Sequence, residues 1–192
     1  MIQKDLSEFY TSLDLDQLGP VDTVTCARPV DEWSPPNGGP IDMVIKRDGS
    51  WYYQGTRIKR ARMVRLFASI LRHEEDDHYY LVTPIEKHEI LVEDAPFVAV
   101  LIAVEGGGSD QELIFTTSLG DRASAGREHP LRFVEDEKNG FKPYIHIRGR
   151  LEALISRSLV YDLVVLAETG SDCGQLGVWS GGVFFPMDGL EK

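Results

Sequence analysis

The sequence predicts an α+β protein built as two structurally similar subdomains of mostly antiparallel sheet, each with one main amphipathic helix. Three observations predict it. Short strand-like runs separated by glycine turns recur along the chain from residue 42 onward. Two segments with helical periodicity, 60–72 and 150–159, interrupt those runs. Those two segments also align at a constant offset, with Arg60, Arg62, Met63, Leu66, Phe67 and Leu71 opposite Arg148, Arg150, Leu151, Leu154, Ile155 and Leu159. An internal duplication of a strand–strand–helix–strand–strand unit accounts for this order better than alternating βαβ units. The plain alternative is that any two amphipathic helices look alike.

The elements follow in chain order. Residues 1–20 form an N-terminal helical segment, whose Leu6, Phe9, Tyr10 and Leu13 make one apolar stripe closed by Gly19-Pro20. A first subdomain spans 21–95. It opens with an irregular, proline-rich lead-in anchored by Trp33, then a strand at 42–46, an Asp48-Gly49 turn and the return strand Trp51-Tyr52-Tyr53. The helix 60–72 places Met63, Leu66, Phe67, Ile70 and Leu71 on one face and Arg62, Arg65, Ser69 and Arg72 on the other. After the acidic turn Glu74-Glu75-Asp76-Asp77, strands are expected at 79–82 and 89–92, with Thr83-Pro84 between them.

The second subdomain spans 96–192. An apolar strand at 97–104 pairs with 112–118 across a glycine-rich hairpin loop, and 121–130 is polar loop. Strands at 131–134 and 143–147 flank an Asn139-Gly140 turn. The helix 150–159, a buried strand at 163–167 and a hairpin of 177–179 with 183–185 complete the chain.

Composition narrows the function classes. The formal charge of −11 argues against general nucleic-acid binding, which depends on clustered Lys and Arg. No apolar run reaches the roughly 20 residues of a membrane span, and the first residues lack a secretory signal pattern. Cys26 and Cys173 stand far apart, which suggests neither a disulfide scaffold nor a thiolate metal site. A cytoplasmic location is expected.

Several motifs carry a family resemblance: Trp51-Tyr52-Tyr53-Gln54-Gly55, Leu66-Phe67-Ala68-Ser69-Ile70-Leu71-Arg72, Tyr80-Leu81-Val82-Thr83-Pro84-Ile85-Glu86-Lys87 and Val92-Glu93-Asp94-Ala95-Pro96-Phe97. Together they resemble a bacterial family of uncharacterised proteins, over nearly the whole chain beyond residue 30. The resemblance implies a duplicated core with a pleckstrin-homology-like C-terminal half. It also implies a ligand pocket between the halves, for a nucleotide-like molecule in signalling. It implies no catalytic residues.

The residues themselves offer one excess of positive charge. Arg57, Lys59, Arg60, Arg62, Arg65 and Arg72 fall in a stretch without an acid, and guanidinium groups suit bidentate contact with phosphate or carboxylate. Arg57, Lys59 and Arg60 precede the helix and are the better ligand candidates. The competing reading is a solvated face neutralised by residues 74–77. Thr83, Glu86, Lys87, Glu93 and Asp94 resemble a pocket rim of short polar groups beside apolar strands, against the alternative of strand ends held by local hydrogen bonds. Trp51 and Tyr53 share a face and are expected in the core, although aromatic rings can also stack on flat ligands.

None of His73, His78, His88, His129 and His146 forms a zincin spacing, and no phosphate loop or nucleophile elbow is present. The sequence therefore assigns no catalytic residue, metal ligand or cofactor. Its expected function is a non-enzymatic binding or sensing module. A small nucleotide-like anion would be held near Arg57, Lys59, Arg60, Thr83, Glu86, Lys87, Glu93 and Asp94, between the subdomains. The alternatives are a protein-interaction scaffold built on the pleckstrin-like half and a hydrolase using a divalent metal.

Overall fold

The computed structural model describes residues 28–136, 140–170 and 174–187. The expected N-terminal helix and the Asn139 turn lie outside the described residues. The chain divides into two units, Met1–Glu93 and Asp94–Lys192.

The first unit is a six-stranded sheet with one helix. Its strands are β1 (Asn37–Ile45), β2 (Trp51–Tyr53), β3 (Thr56–Arg57), β4 (Leu71–His73), β5 (Tyr79–Val82) and β6 (Lys87–Val92), and helix α1 is Ala61–Ser69. The order across the sheet is β3-β2-β1-β6-β5-β4. Each half is an antiparallel meander, and the halves join where β1 runs parallel to β6. Tight turns make the meanders possible. Between β2 and β3, Gln54 and Gly55 both take positive φ, 48° and 72°, as a two-residue hairpin turn requires. A parallel join cannot be made by a turn, and here α1 supplies the longer connection between the meanders.

Period-2 patterning sets which face is core. Met43, Ile45, Trp51 and Tyr53 are buried, whereas the residues between them, Val44 and Tyr52, are half-buried. Phe67 of α1 is fully buried, its ring stacked 6.2 Å from that of Trp51. The expected helix at 60–72 is corrected at its end: α1 stops at Ser69, and Leu71–His73 is strand β4. Leu71 pairs with Leu81 and is fully buried, so the sheet edge claims it although its spacing also fits the helical stripe.

The second unit holds β7 (Phe97–Glu105), β8 (Glu112–Thr117), β9 (Arg122–Ser124), β10 (Leu131–Asp136), β11 (Gly140–Arg148) and β12 (Leu151–Ile155) in the order β10-β11-β12-β7-β8-β9. This is the plan of the first sheet. Two antiparallel meanders join where the first strand, β7, runs parallel to the last, β12. Helix α2 (Arg157–Val165) comes after the sixth strand, not between the meanders. A three-stranded sheet follows, of β13 (Glu168–Thr169), β14 (Leu176–Ser180) and β15 (Val183–Pro186). Buried Ser180 fastens that sheet to the larger one. Its hydroxyl donates to the Ala125 carbonyl at 2.7 Å and accepts from the Leu113 amide at 2.8 Å.

Here two expectations are overturned. The expected helix at 150–159 is overturned over most of its length: Leu151, Ala153 and Ile155 alternate inward along β12, with Ala153 and Ile155 opposite Phe97 and Ala99 of β7, and helix begins only at Arg157. Residues 163–167 are not a buried strand, because α2 runs to Val165. Leu151 and Ile155, four apart, satisfy both periods, and pairing with β7 selects the strand although Leu154 fits only the helical one. The helix alignment at constant offset therefore falls, while the duplication survives in the sheets. The Gly106–Asp110 stretch does form the expected hairpin loop between β7 and β8.

A stability comparison checks the corrected helix. Leu163 is fully buried and Val165 is 84% exposed, whereas a strand would point both the same way. Leu163→Ala should cost about 2–5 kcal/mol in urea unfolding, and Val165→Ala less than about 0.5 kcal/mol.

Candidate functional site

In each unit a tyrosine on the middle strand of the second meander sits under a cation and donates to an aspartate. In the first unit it is Tyr80 of β5. Its hydroxyl donates to Asp76 at 2.8 Å, and the Lys87 ammonium lies 4.3 Å from its ring centroid. Lys87 reaches from β6 to Glu74 at 2.5 Å, and Arg72 of β4 pairs with the same carboxylate. Arg72 also donates to the carbonyls of Val30 and Trp33 at 2.6 and 2.7 Å, tying the proline-rich lead-in to the sheet. Trp33 is half-buried at that point.

The second unit repeats the arrangement with the charges exchanged between strands. Tyr144 of β11 donates to Asp94 at 2.6 Å, and the Arg132 guanidinium of β10 lies 4.5 Å from its ring centroid. Arg132 pairs with Glu152 of β12, and Lys142 adds a second cation to Asp94 at 3.2 Å. In both units the arginine stands directly opposite the tyrosine in the ladder, Arg72 across from Tyr80 and Arg132 across from Tyr144. An acid–cation pair thus bridges the two flanking strands over a central aromatic ring.

Burial sets the electrostatics of these clusters. Tyr80 is 4% exposed. Burial first, then the bond to Asp76, pushes its phenol up to about 12. The same two causes, burial and Asp94, push the Tyr144 phenol further above its ordinary value of 10.0. Burial alone would raise the Glu74 carboxyl, but hydrogen bonds from Lys87 and Arg72 outweigh it and hold the group below its ordinary 4.5. Asp76 is held below 3.8 by the His78 amide and the Tyr80 hydroxyl. Both phenols stay neutral donors, and Asp76 and Glu74 stay ionised, across the physiological range.

The eight residues singled out from the sequence fall into four places. Arg57 on β3, with Lys59 and Arg60 at the entrance to α1, forms an exposed basic corner. Arg60 is the N-cap residue of α1, whose first turn has no acid and no side-chain cap. The Lys59 and Arg60 side chains make no ion pair among the described residues, and Arg57 attracts Asp48, itself bonded to Ser50.

Thr83, Glu86 and Lys87 belong to the β5–β6 turn. The buried Thr83 hydroxyl accepts from the Glu86 amide at 3.2 Å and donates to the Glu86 carbonyl at 3.0 Å. The Glu86 carboxylate lies 3.3 Å from His88. Glu93 sits at the other end of β6, paired with Lys46 at 2.6 Å. That is about 20 Å from Glu86 along an extended strand. Asp94, in the second unit, is the Tyr144 partner described above. The first unit therefore does not gather its candidates at one point.

The tyrosine clusters escaped the sequence reading. Their one local signal is polar side chains two apart at the strands, as in Arg72-His73-Glu74 and Lys142-Pro143-Tyr144; the other partners come from distant strands. Trp51 and Tyr53 lie in the core, and the Trp51 indole N–H is the one buried side-chain polar atom left without a partner among the described residues. No three His, Cys, Asp or Glu side chains converge on a metal-sized position among the described residues. Among them, too, no helix is long and apolar enough to cross a membrane.

Fold and clusters together define a two-unit α+β protein with one sheet plan used twice. Two family models divide the chain in the same way: residues 28–95 match the N-terminal domain, and residues 96–187 the C-terminal domain, of the domain of unknown function DUF1285. The chain belongs to the DUF1285 family. It is similar to a solved DUF1285 family protein from Silicibacter pomeroyi, with 49% identity and a TM-score of 0.83 over 93% of this chain and 95% of that one. A DUF1285 family protein from Shewanella baltica is 29% identical, with a TM-score of 0.52 over 65% of this chain and 91% of that one. No curated protein matches the sequence.

Two variants test the clusters. Glu74 is ionised more readily in the fold than in the unfolded chain, so its contribution is complete above about pH 4.5 and is lost as the pH falls below that value. Glu74→Gln should be less stable than wild type at neutral pH and lose less stability on acidification, measured by urea unfolding as a function of pH. Tyr144→Phe removes the phenolic hydrogen bond to Asp94, whose side chain is 8% exposed, and leaves the Lys142 ammonium beside it. It should cost about 1.5–3 kcal/mol, the range for a hydrogen bond to a charged group.

Proposed function

We propose that the first unit is a non-enzymatic binding module for a small anionic ligand of nucleotide-like, phosphate-bearing chemistry. The ligand is taken at the corner where β3 enters α1. One observation supports the reading above all. Arg57, Lys59 and Arg60 are exposed cations at the start of a helix whose first turn has neither an acid nor a side-chain cap. Backbone N–H groups of a first helical turn and the partial positive charge there favour an anion, and two guanidinium groups can each give it a forked pair of donors. The chain is strongly acidic elsewhere, so a discrete anion is a better fit than a polyanion, whose whole length the remaining acids would repel.

By contrast, Lys87, Glu93 and Asp94 are engaged within their own units by Glu74, Lys46 and Tyr144 respectively. In this reading they shape the sheets and leave the ligand to the basic corner. A protein-interaction role has separate support in the exposed apolar side chains of β7, and it concerns the second unit.

Thermal unfolding with pyrophosphate, ADP, ATP and, as a control without phosphate, adenosine tests the proposal. A ligand at a hundredfold excess over its Kd stabilises the native state by about 2.7 kcal/mol. The phosphate-bearing probes should raise the Tm, adenosine should not, and the shift should shrink or vanish in Arg57→Ala and Arg60→Ala. Glu93→Gln should keep it. Protection that persists in both arginine variants, or no protection by any probe, overturns the assignment.

A further inference from the structure

β7 is nine residues long, yet its parallel partner covers only its beginning. The ladder with β12 runs from Phe97 to Ala99, and the Ser156 amide closes it by donating to the Ala99 carbonyl. From there the chain leaves the sheet as α2. On the opposite side β8 pairs with β7 all the way to Glu105. Among the described residues no strand pairs with 101–105 on that side, and this edge is apolar. Leu101 is 63% exposed and Val104 44%, and Ile102 is half-buried. Helix α2, which follows β12 directly, leaves Tyr161, Val164 and Val165 exposed as well. Soluble proteins seldom leave such an edge unprotected, because its free N–H and C=O groups invite another strand. Protective devices are sparse here: a register shift lies between Ala99 and Leu101, and the only charge on the strand is Glu105 at its end.

We propose that this edge joins two copies of the chain, their β7 strands pairing antiparallel about a two-fold axis at Ala103. The open edge decides the kind of occupant, since only an extended strand satisfies its backbone. Charge decides which strand. Each copy carries −11 overall, so two copies repel over most of their surfaces, and 97–104 is a run without a charge where they can approach. The free length decides the register. β12 holds the edge as far as Ala99, so a symmetric pair using all of 101–105 centres on Ala103. Leu101 then faces Glu105 of the second copy, Ile102 faces Val104, and no acid faces an acid. The sheets of two second units merge through an isologous contact, which is closed and does not propagate into a fibre.

Sedimentation equilibrium over a wide range of protein concentrations tests this. The wild type should associate reversibly from the 21.5 kDa chain to a species of twice that mass. Ala103→Lys sets two ammonium groups opposite each other at the axis and should leave only the single-chain mass, with an unchanged circular dichroism spectrum. Leu101→Lys places its charge opposite Glu105 and should still dimerise. Ala103→Cys, in a Cys26→Ser and Cys173→Ser background, should cross-link on oxidation, because directly opposed residues in an antiparallel pair lie within disulfide reach. A wild type that stays at the single-chain mass at every concentration, or a dimer that Ala103→Lys leaves intact, overturns the proposal.

Discussion

Each unit depends on one parallel pairing between its first and last strands. Adjacent strands in the meanders are joined by short connections and form antiparallel pairs almost by proximity. The β1–β6 and β7–β12 pairs are different, since they close the sheet over the whole length of the unit. Without them each unit is two separate three-stranded ribbons with little buried between them. With them, the central strands become the most protected part: Met43, Ile45, Phe97, Ala99 and Ala153 are almost wholly removed from water. The chain meets the need for a long connection differently in the two units, by a helix in the first and by a loop in the second.

The tyrosine clusters sit on the second meander of each sheet, where three strands present a polar face. A buried phenol needs an acceptor, a buried carboxylate needs donors, and a cation near both is least costly over an aromatic ring. Asp76, Glu74, Lys87 and Arg72 around Tyr80 satisfy these needs together, as Asp94, Glu152, Arg132 and Lys142 do around Tyr144. The sign of each flanking side chain is free to exchange, provided the pair still bridges the ring. That freedom explains how the two halves repeat a structure without repeating a sequence motif.

Polar groups inside the sheets are therefore largely committed to one another, which concentrates the available chemistry at two surface features. One is the basic corner at the head of α1, where exposed cations stand at a first helical turn with no acid and no side-chain cap. The other is the open apolar edge of β7, left by the early departure of β12 into α2. The proposals give them different partners, a discrete anion and a strand. They lie in different units, so each can be altered without touching the other.

Much of the fold was legible in the residues alone. The α+β class, the strands at Trp51, Tyr79 and Phe97, the β7–β8 hairpin and the core positions of Trp51 and Tyr53 all follow from local period and turn chemistry. Local sequence also marked the basic corner, because Arg57, Lys59 and Arg60 are close in the chain. Residues 150–167 were not legible. Leu151 and Ile155, four apart, fit a helix face as well as a strand face, and only the ladder with β7 distinguishes them. The tertiary structure alone decided the parallel joins, the partners of Tyr80 and Tyr144, and the separation of Thr83 and Glu86 from Glu93 at opposite ends of β6. The physical reason is the same throughout: local conformation is a property of neighbours in sequence, whereas a strand's partner and a buried charge's counter-ion come from wherever the sheet places them.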